Sequence, residues 1–155
     1  MIRKLLLIII CIGIAFPVFA QTDIPEFPIE RRANINIPPE IKDRTEQFFN
    51  TILEGRVESA YRQFLKNSPL AEKESDIANL ITETRKSFEL YGKALEFEAV
   101  EAEYVTPSYI RLKYLGLNED YPTRWMFTFY KSPSKGWIVT QVKFDDLAQF
   151  YFSDQ

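Results

Sequence analysis

Along residues 40–65 the apolar positions return at steps of three and four. They are Ile41, Phe48, Phe49, Ile52, Leu53, Val57, Ala60, Tyr61, Phe64 and Leu65, with Glu40, Lys42, Asp43, Arg44 and Glu46 on the other faces. That spacing gathers the apolar side chains on one side of a helix. Gly55 interrupts the run, so the pattern predicts two helices meeting at Glu54, Gly55 and Arg56. Asn67-Ser68-Pro69 stops the second one. A third helix is predicted over residues 72–91, with Ile77, Leu80, Ile81, Thr84, Phe88 and Tyr91 as its stripe. Glu72, Glu74 and Asp76 suit its positive N-terminal end, and Gly92 follows as a stop.

After Lys93 the period becomes two. Leu95, Phe97 and Ala99 alternate with Glu96 and Glu98; then Val100, Ala102 and Tyr104 alternate with Glu101 and Glu103. A one-residue slip turns side chains to the other sheet face unless a bulge absorbs it, so a bulge is expected near Ala99 and Val100. Thr106-Pro107-Ser108 turns the chain. Residues 109–115 form a second strand, with Ile110, Leu112 and Tyr114 on one face and Tyr109, Arg111 and Lys113 on the other. A polar loop is expected over residues 116–123. The last hairpin follows, its strands flanking Ser132-Pro133-Ser134-Lys135-Gly136. Trp125, Phe127 and Phe129 share one face of its first strand; Met126, Thr128 and Tyr130 share the other. In its second strand Ile138, Val142 and Phe144 share a parity, with Thr140 between them. Residues 147–152 form a terminal turn or pack across the sheet edge. Helices come first and strands second, with hairpin-length connections between the strands. That order predicts an α+β fold in which three N-terminal helices pack on a curved four-stranded antiparallel sheet.

The first 20 residues fall outside this pattern. Arg3 and Lys4 precede an apolar run, and Val18-Phe19-Ala20 offers small residues for cleavage, so residues 1–20 read as a secretory signal peptide. The run is short for a membrane span, and Pro17 interrupts its end. Cys11, the one cysteine, would leave with it. Residues 21–39, with Pro25, Pro28, Pro38 and Pro39, read as an extended linker, from which Ile35 and Ile37 could dock on the domain. Residues 40–152 form one domain.

This organisation removes several chemistries. The chain contains no His. Without His, and without Cys after the leader, a thiol nucleophile and a Ser-His-Asp triad are excluded, and a zinc site, which usually needs His or Cys, is not expected. No other cofactor or metal is called for. The leader carries two of the 19 basic residues and none of the 22 acidic ones, leaving a formal charge of −5 beyond it. With no basic block either, nucleic acid and anionic membrane are poor partners. An exported location, periplasmic or extracellular, is the expectation.

The order of elements resembles the NTF2-like superfamily, the cone fold of ketosteroid isomerases and related dehydratases. The resemblance covers roughly residues 41–150. It rests on Phe48-Phe49-Asn50-Thr51-Ile52-Leu53-Glu54-Gly55-Arg56 followed by Ala60-Tyr61, and on the late strands with Phe127-Thr128-Phe129-Tyr130 and Gly136-Trp137-Ile138-Val139. More narrowly, the chain is similar to small secreted bacterial members without assigned activity. The fold hosts enzymes and non-catalytic binding or dimerising domains alike. The dehydratase pairing of His with Asp is absent. An isomerase-like site would need a buried Asp, and none lies in the middle of a strand or on an apolar helix stripe.

Of the 23 aromatic residues, 16 lie between Phe88 and Phe152. Both faces of the sheet therefore carry large groups. Tyr109, Arg111, Met126 and Tyr130 are the candidates for a contact surface on the face away from the helices. Phe49, Tyr61, Phe88, Tyr114 and Trp125 are the candidates to line a pocket between helices and sheet, although a filled core uses the same residue types. Arg111 and Arg124 are expected to pair with the Glu residues of the first strand. Those glutamates are strung along a strand rather than gathered at a point, which fits a solvated face better than a cation site. The reading placed first is an exported, non-enzymatic domain acting through protein contact, as a sheet-face homodimer or with another exported protein. The alternative is a binder of a small apolar ligand in the cone. An isomerase or lyase comes third.

Overall fold

A computed structural model describes residues 36–152. The expectations of a signal peptide over residues 1–20 and of an extended linker over residues 21–35 fall outside the described residues. Three helices, α1 (Pro39–Leu53), α2 (Val57–Phe64) and α3 (Glu74–Tyr91), precede four strands, β1 (Ala94–Thr106), β2 (Tyr109–Asn118), β3 (Thr123–Ser132) and β4 (Gly136–Asp145). The strands pair antiparallel in the order β1-β2-β3-β4. The fold is α+β, as the pattern predicts.

Gly55 parts the first two helices at a backbone φ of +79°, a conformation that suits glycine. Arg44, on α1, then fixes the end of α2. Its Nε donates to the Phe64 carbonyl at 2.9 Å, its Nη2 to Phe64 and Lys66 (2.8 Å), and its Nη1 to Trp137 of β4 at 3.0 Å. Carbonyls that the ending helix leaves without partners are thereby satisfied by one planar cation. Ser68 starts the next turn, accepting from Leu70 N at 3.1 Å and donating to the Val139 carbonyl.

The sheet places Ile110, Leu112, Tyr114, Trp125, Phe127 and Phe129 toward the helices, all buried. They meet Phe48, Phe49, Tyr61 and Phe64 in one ring-rich core. Phe48 alone stands 4.7–6.1 Å from Phe64, Tyr61, Phe49, Phe127 and Trp125 by ring centroids. Such contacts add roughly 0.5–1.5 kcal/mol per pair to the area buried.

The expected bulge is present: the β1–β2 register shifts between Ala99 and Glu101, leaving Val100 over. Three features differ from the sequence expectation. First, β2 runs on to Asn118 instead of ending at Leu115. Its continuation through Gly116 follows from Trp125: a Cβ on Gly116 would lie 2.5 Å from Thr123 Oγ1 and 3.0 Å from Trp125 Nε1. The missing side chain admits the neighbouring strand's indole and is no sign of a loop. Second, β4 carries a register shift opposite Thr128 and Phe129. Val139 pairs with the inward Phe129 and Ile138 with the outward Tyr130, whereas Val142 pairs with inward Phe127 and Phe144 with inward Trp125. Ile138 therefore does not share a face with Val142 and Phe144. Third, Arg124 pairs with Asp145 of β4, at 2.7 Å, and not with a β1 glutamate. Arg111 does meet Glu103, at 3.7 Å.

Candidate functional site

Two surfaces carry the residues singled out in the sequence. The first is a groove of about 810 Å³ between α1 and β1. Phe49, Leu53 and Asn50 form its helix wall, Phe97 and Ala99 its strand wall, and Tyr114 its floor. Phe49 stacks on Phe97 with ring centroids 4.0 Å apart and leans on Tyr114 at 4.9 Å. Burial, with Glu46 nearby, pushes the Tyr114 hydroxyl up to about 12, so it stays protonated at neutral pH and can donate a hydrogen bond. Glu46 stands on the helix side of the opening, Glu96 and Glu98 on the strand side.

The five pocket candidates thus fall in three places. Phe49 and Tyr114 border the groove. Tyr61 and Trp125 are fully buried with their polar atoms engaged. The Tyr61 hydroxyl sits 2.8 Å from Thr84 Oγ1, which itself donates to the Leu80 carbonyl, so Tyr61 is the donor in that pair. Burial raises the Tyr61 hydroxyl far above its ordinary value. Trp125 Nε1 donates to Thr123 Oγ1 at 3.0 Å. Phe88 lies on the far side of α1, bordering a hollow with Ile52, Val57 and Arg85. Phe97 and Ala99 were legible as an apolar alternation in β1, but nothing in that alternation tells a groove wall from a core position.

The second surface is the sheet face turned from the helices. Register places Tyr109, Tyr130 and Ile138 in one row across β2, β3 and β4. Arg111 stands beside Thr128 in the next row, and Lys113 beside Met126 in the one after. All four contact candidates therefore share this face. Tyr109 is 40% exposed and Tyr130 38%, whereas Ile138 in the same row is buried. Lys113 is held by Glu103 at 2.6 Å and Glu101 at 3.0 Å. Burial works against its charge, but the two carboxylates outweigh that and raise its pKa.

The far end of the same face is covered by the chain's own end. After β4, a short 3₁₀ turn (Ala148–Tyr151) brings Phe150 and Tyr151 to 5.9 Å from the Arg124 guanidinium. The Tyr151 hydroxyl donates to the Tyr114 carbonyl at 3.0 Å. Cation–π contact and the Asp145 bridge keep Arg124 in place beneath the turn. The turn leaves the Tyr109–Tyr130 end of the face uncovered.

No family model, curated protein or solved structure matches this chain. The fold and these two surfaces are what any functional reading has to use.

Proposed function

We propose that this is an exported, non-enzymatic domain of NTF2-like type that acts through protein contact, pairing with a second copy through the outward sheet face. The observation that carries the reading is the cross-strand pair of Tyr109 and Tyr130, two half-exposed rings on a face the helices do not cover. Tyrosine suits such a surface, because its ring gains from burial while its hydroxyl still finds a partner. Arg111 and Met126 extend the patch toward the middle of the sheet. Two copies packed face to face about a two-fold axis would set one patch against the other. The inner face is less available, since its rings already fill one another's space.

A Tyr130→Glu substitution places a charge in the centre of that contact and leaves the core untouched. The dimer dissociation constant should rise at least about tenfold, roughly 1.4 kcal/mol, with the melting temperature of the monomer unchanged. Sedimentation at several concentrations checks this. A variant that pairs as tightly as the parent would contradict the reading.

One observation favours the second reading, a small apolar ligand. The α1–β1 groove is open, and it offers two aromatic walls and one protonated tyrosine hydroxyl. Such a mixture of apolar lining and a single polar anchor is common in small-molecule sites.

A further inference from the structure

β1 is an edge of the sheet, and among the described residues no strand pairs with its outer side. Alternate backbone N–H and C=O groups of an edge strand point outward without ladder partners, ready for an added strand. Between its first two register irregularities β1 runs regularly over Glu96, Phe97, Glu98 and Ala99, opposite Leu117, Gly116, Leu115 and Tyr114. Glu96 and Glu98 therefore stand on the outward face, and Phe97 and Ala99 on the inward face. Neither glutamate makes an ion pair among the described residues, although Glu98 is half-buried. Glu101 and Glu103 continue the outward column but are already paired with Lys113 and Arg111. The other edge, β4, has no such column: Gln141, Lys143 and Asp145 alternate there.

The inward side of the same stretch is the strand wall of the α1–β1 groove. Phe97 is closed off by its stack on Phe49, but Ala99 is small and exposed, a low point in that wall. Behind it in register stands Tyr114, only 6% exposed. Its hydroxyl has no hydrogen-bond partner among the described residues, yet it is not among the polar atoms shut off from solvent. A buried tyrosine normally finds a partner. This one offers its hydroxyl to whatever lies over Ala99.

We propose that the Glu96–Ala99 edge of β1 takes up an extended segment of a partner protein as an added strand. The segment carries basic side chains at alternate positions, opposite Glu96 and Glu98, and between and beside them inward side chains that meet the groove. Side chains of an added strand alternate between faces, so one short segment satisfies both the carboxylates and the groove. The position opposite Ala99 suits a long side chain with a polar tip that reaches the Tyr114 hydroxyl. The same charges act against the wrong occupant: a second copy's β1 would set glutamate against glutamate. The inference does not depend on the sheet-face pairing, which uses the Tyr109–Tyr130 end.

The probe is a capped, fluorescently labelled peptide, Thr-Tyr-Lys-Val-Lys-Thr, titrated with the protein and read by anisotropy. A peptide of the same composition without the alternation, Thr-Val-Lys-Lys-Tyr-Thr, is the control. Binding of the first peptide below about 1 mM, and at least about ten times weaker binding of the second, is expected. Glu96→Gln/Glu98→Gln should weaken binding by at least about tenfold. Glu72→Gln/Glu89→Gln, which removes the same charge from exposed positions on the helical side, should leave it unchanged. Hydrogen exchange of the parent with the alternating peptide should slow in β1 and not in β4, a readout that needs no variant. No binding by the parent overturns the proposal. So does equal affinity for both peptides, full affinity in the Glu96→Gln/Glu98→Gln variant, or protection that falls on β4 instead.

Discussion

Arg44 does more for this fold than its place on a polar helix face suggests. One guanidinium closes the end of α2, reaches β4 and lies 5.6 Å from the Phe64 ring centre. Removing it leaves carbonyls of Phe64 and Trp137 short of donors in a part-buried setting. Arg44→Ala should cost roughly 2–4 kcal/mol, read from urea denaturation. Arg44→Lys should recover little, since an ammonium cannot satisfy three divergent carbonyls. Asp145 gives a pH signature at the same scale. Burial alone would raise its carboxyl, but hydrogen bonds from Arg124 and from the Leu147 backbone hold it below its ordinary value. A carboxyl with a lowered folded-state pKa contributes stability that is fully present above the unfolded value, about 3.9. That contribution is lost as pH falls through the folded value. Stability measured from pH 6 down to pH 2.5 should therefore drop less steeply in Asp145→Asn than in the parent, and the variant should already be weaker at pH 6.

At the scale of elements, the helix breaks, the strand order and the β1 bulge were legible, because each leaves a periodic trace. Gly55 breaks a three-four period, and two alternating runs out of phase around Val100 announce an extra residue. The β4 slip leaves no such trace. Ile138 and Val139 are both apolar and adjacent, so either could face inward, and only the pairing with Phe129 decides. Gly116 misleads for a related reason. A glycine beside polar residues reads as a loop, but here it is the vacancy that Trp125 and Thr123 require. Gly116→Ala should accordingly destabilise by about 1–3 kcal/mol in thermal or urea unfolding, although alanine is otherwise tolerated in a strand. A neutral result would show that Thr123 and the indole yield easily. The candidate site was half legible. Tyr109, Arg111, Met126 and Tyr130 share a face because strand parity fixes it. Phe49 and Tyr114 could not be told from Tyr61 and Trp125, because a groove wall and a core position call for the same side chains.

For the whole molecule, the consequence is a division of labour between the two sheet faces. The inner face is spent largely on stability: its rings interlock with those of α1 and α2, and the Trp125 indole N–H is engaged by Thr123. The outer face is half closed by the Arg124–Asp145 bridge and the C-terminal turn, and its Tyr109–Tyr130 end is open. On that division, pairing through the open end is the function to test first. The most direct measurement is a native mass spectrum of the purified protein, taken over a range of concentrations. A dimer that carries no additional mass and dissociates on dilution is the expected result. A monomer at every concentration would contradict the account, and a monomer carrying a defined small adduct would move attention to Phe49, Phe97 and Tyr114.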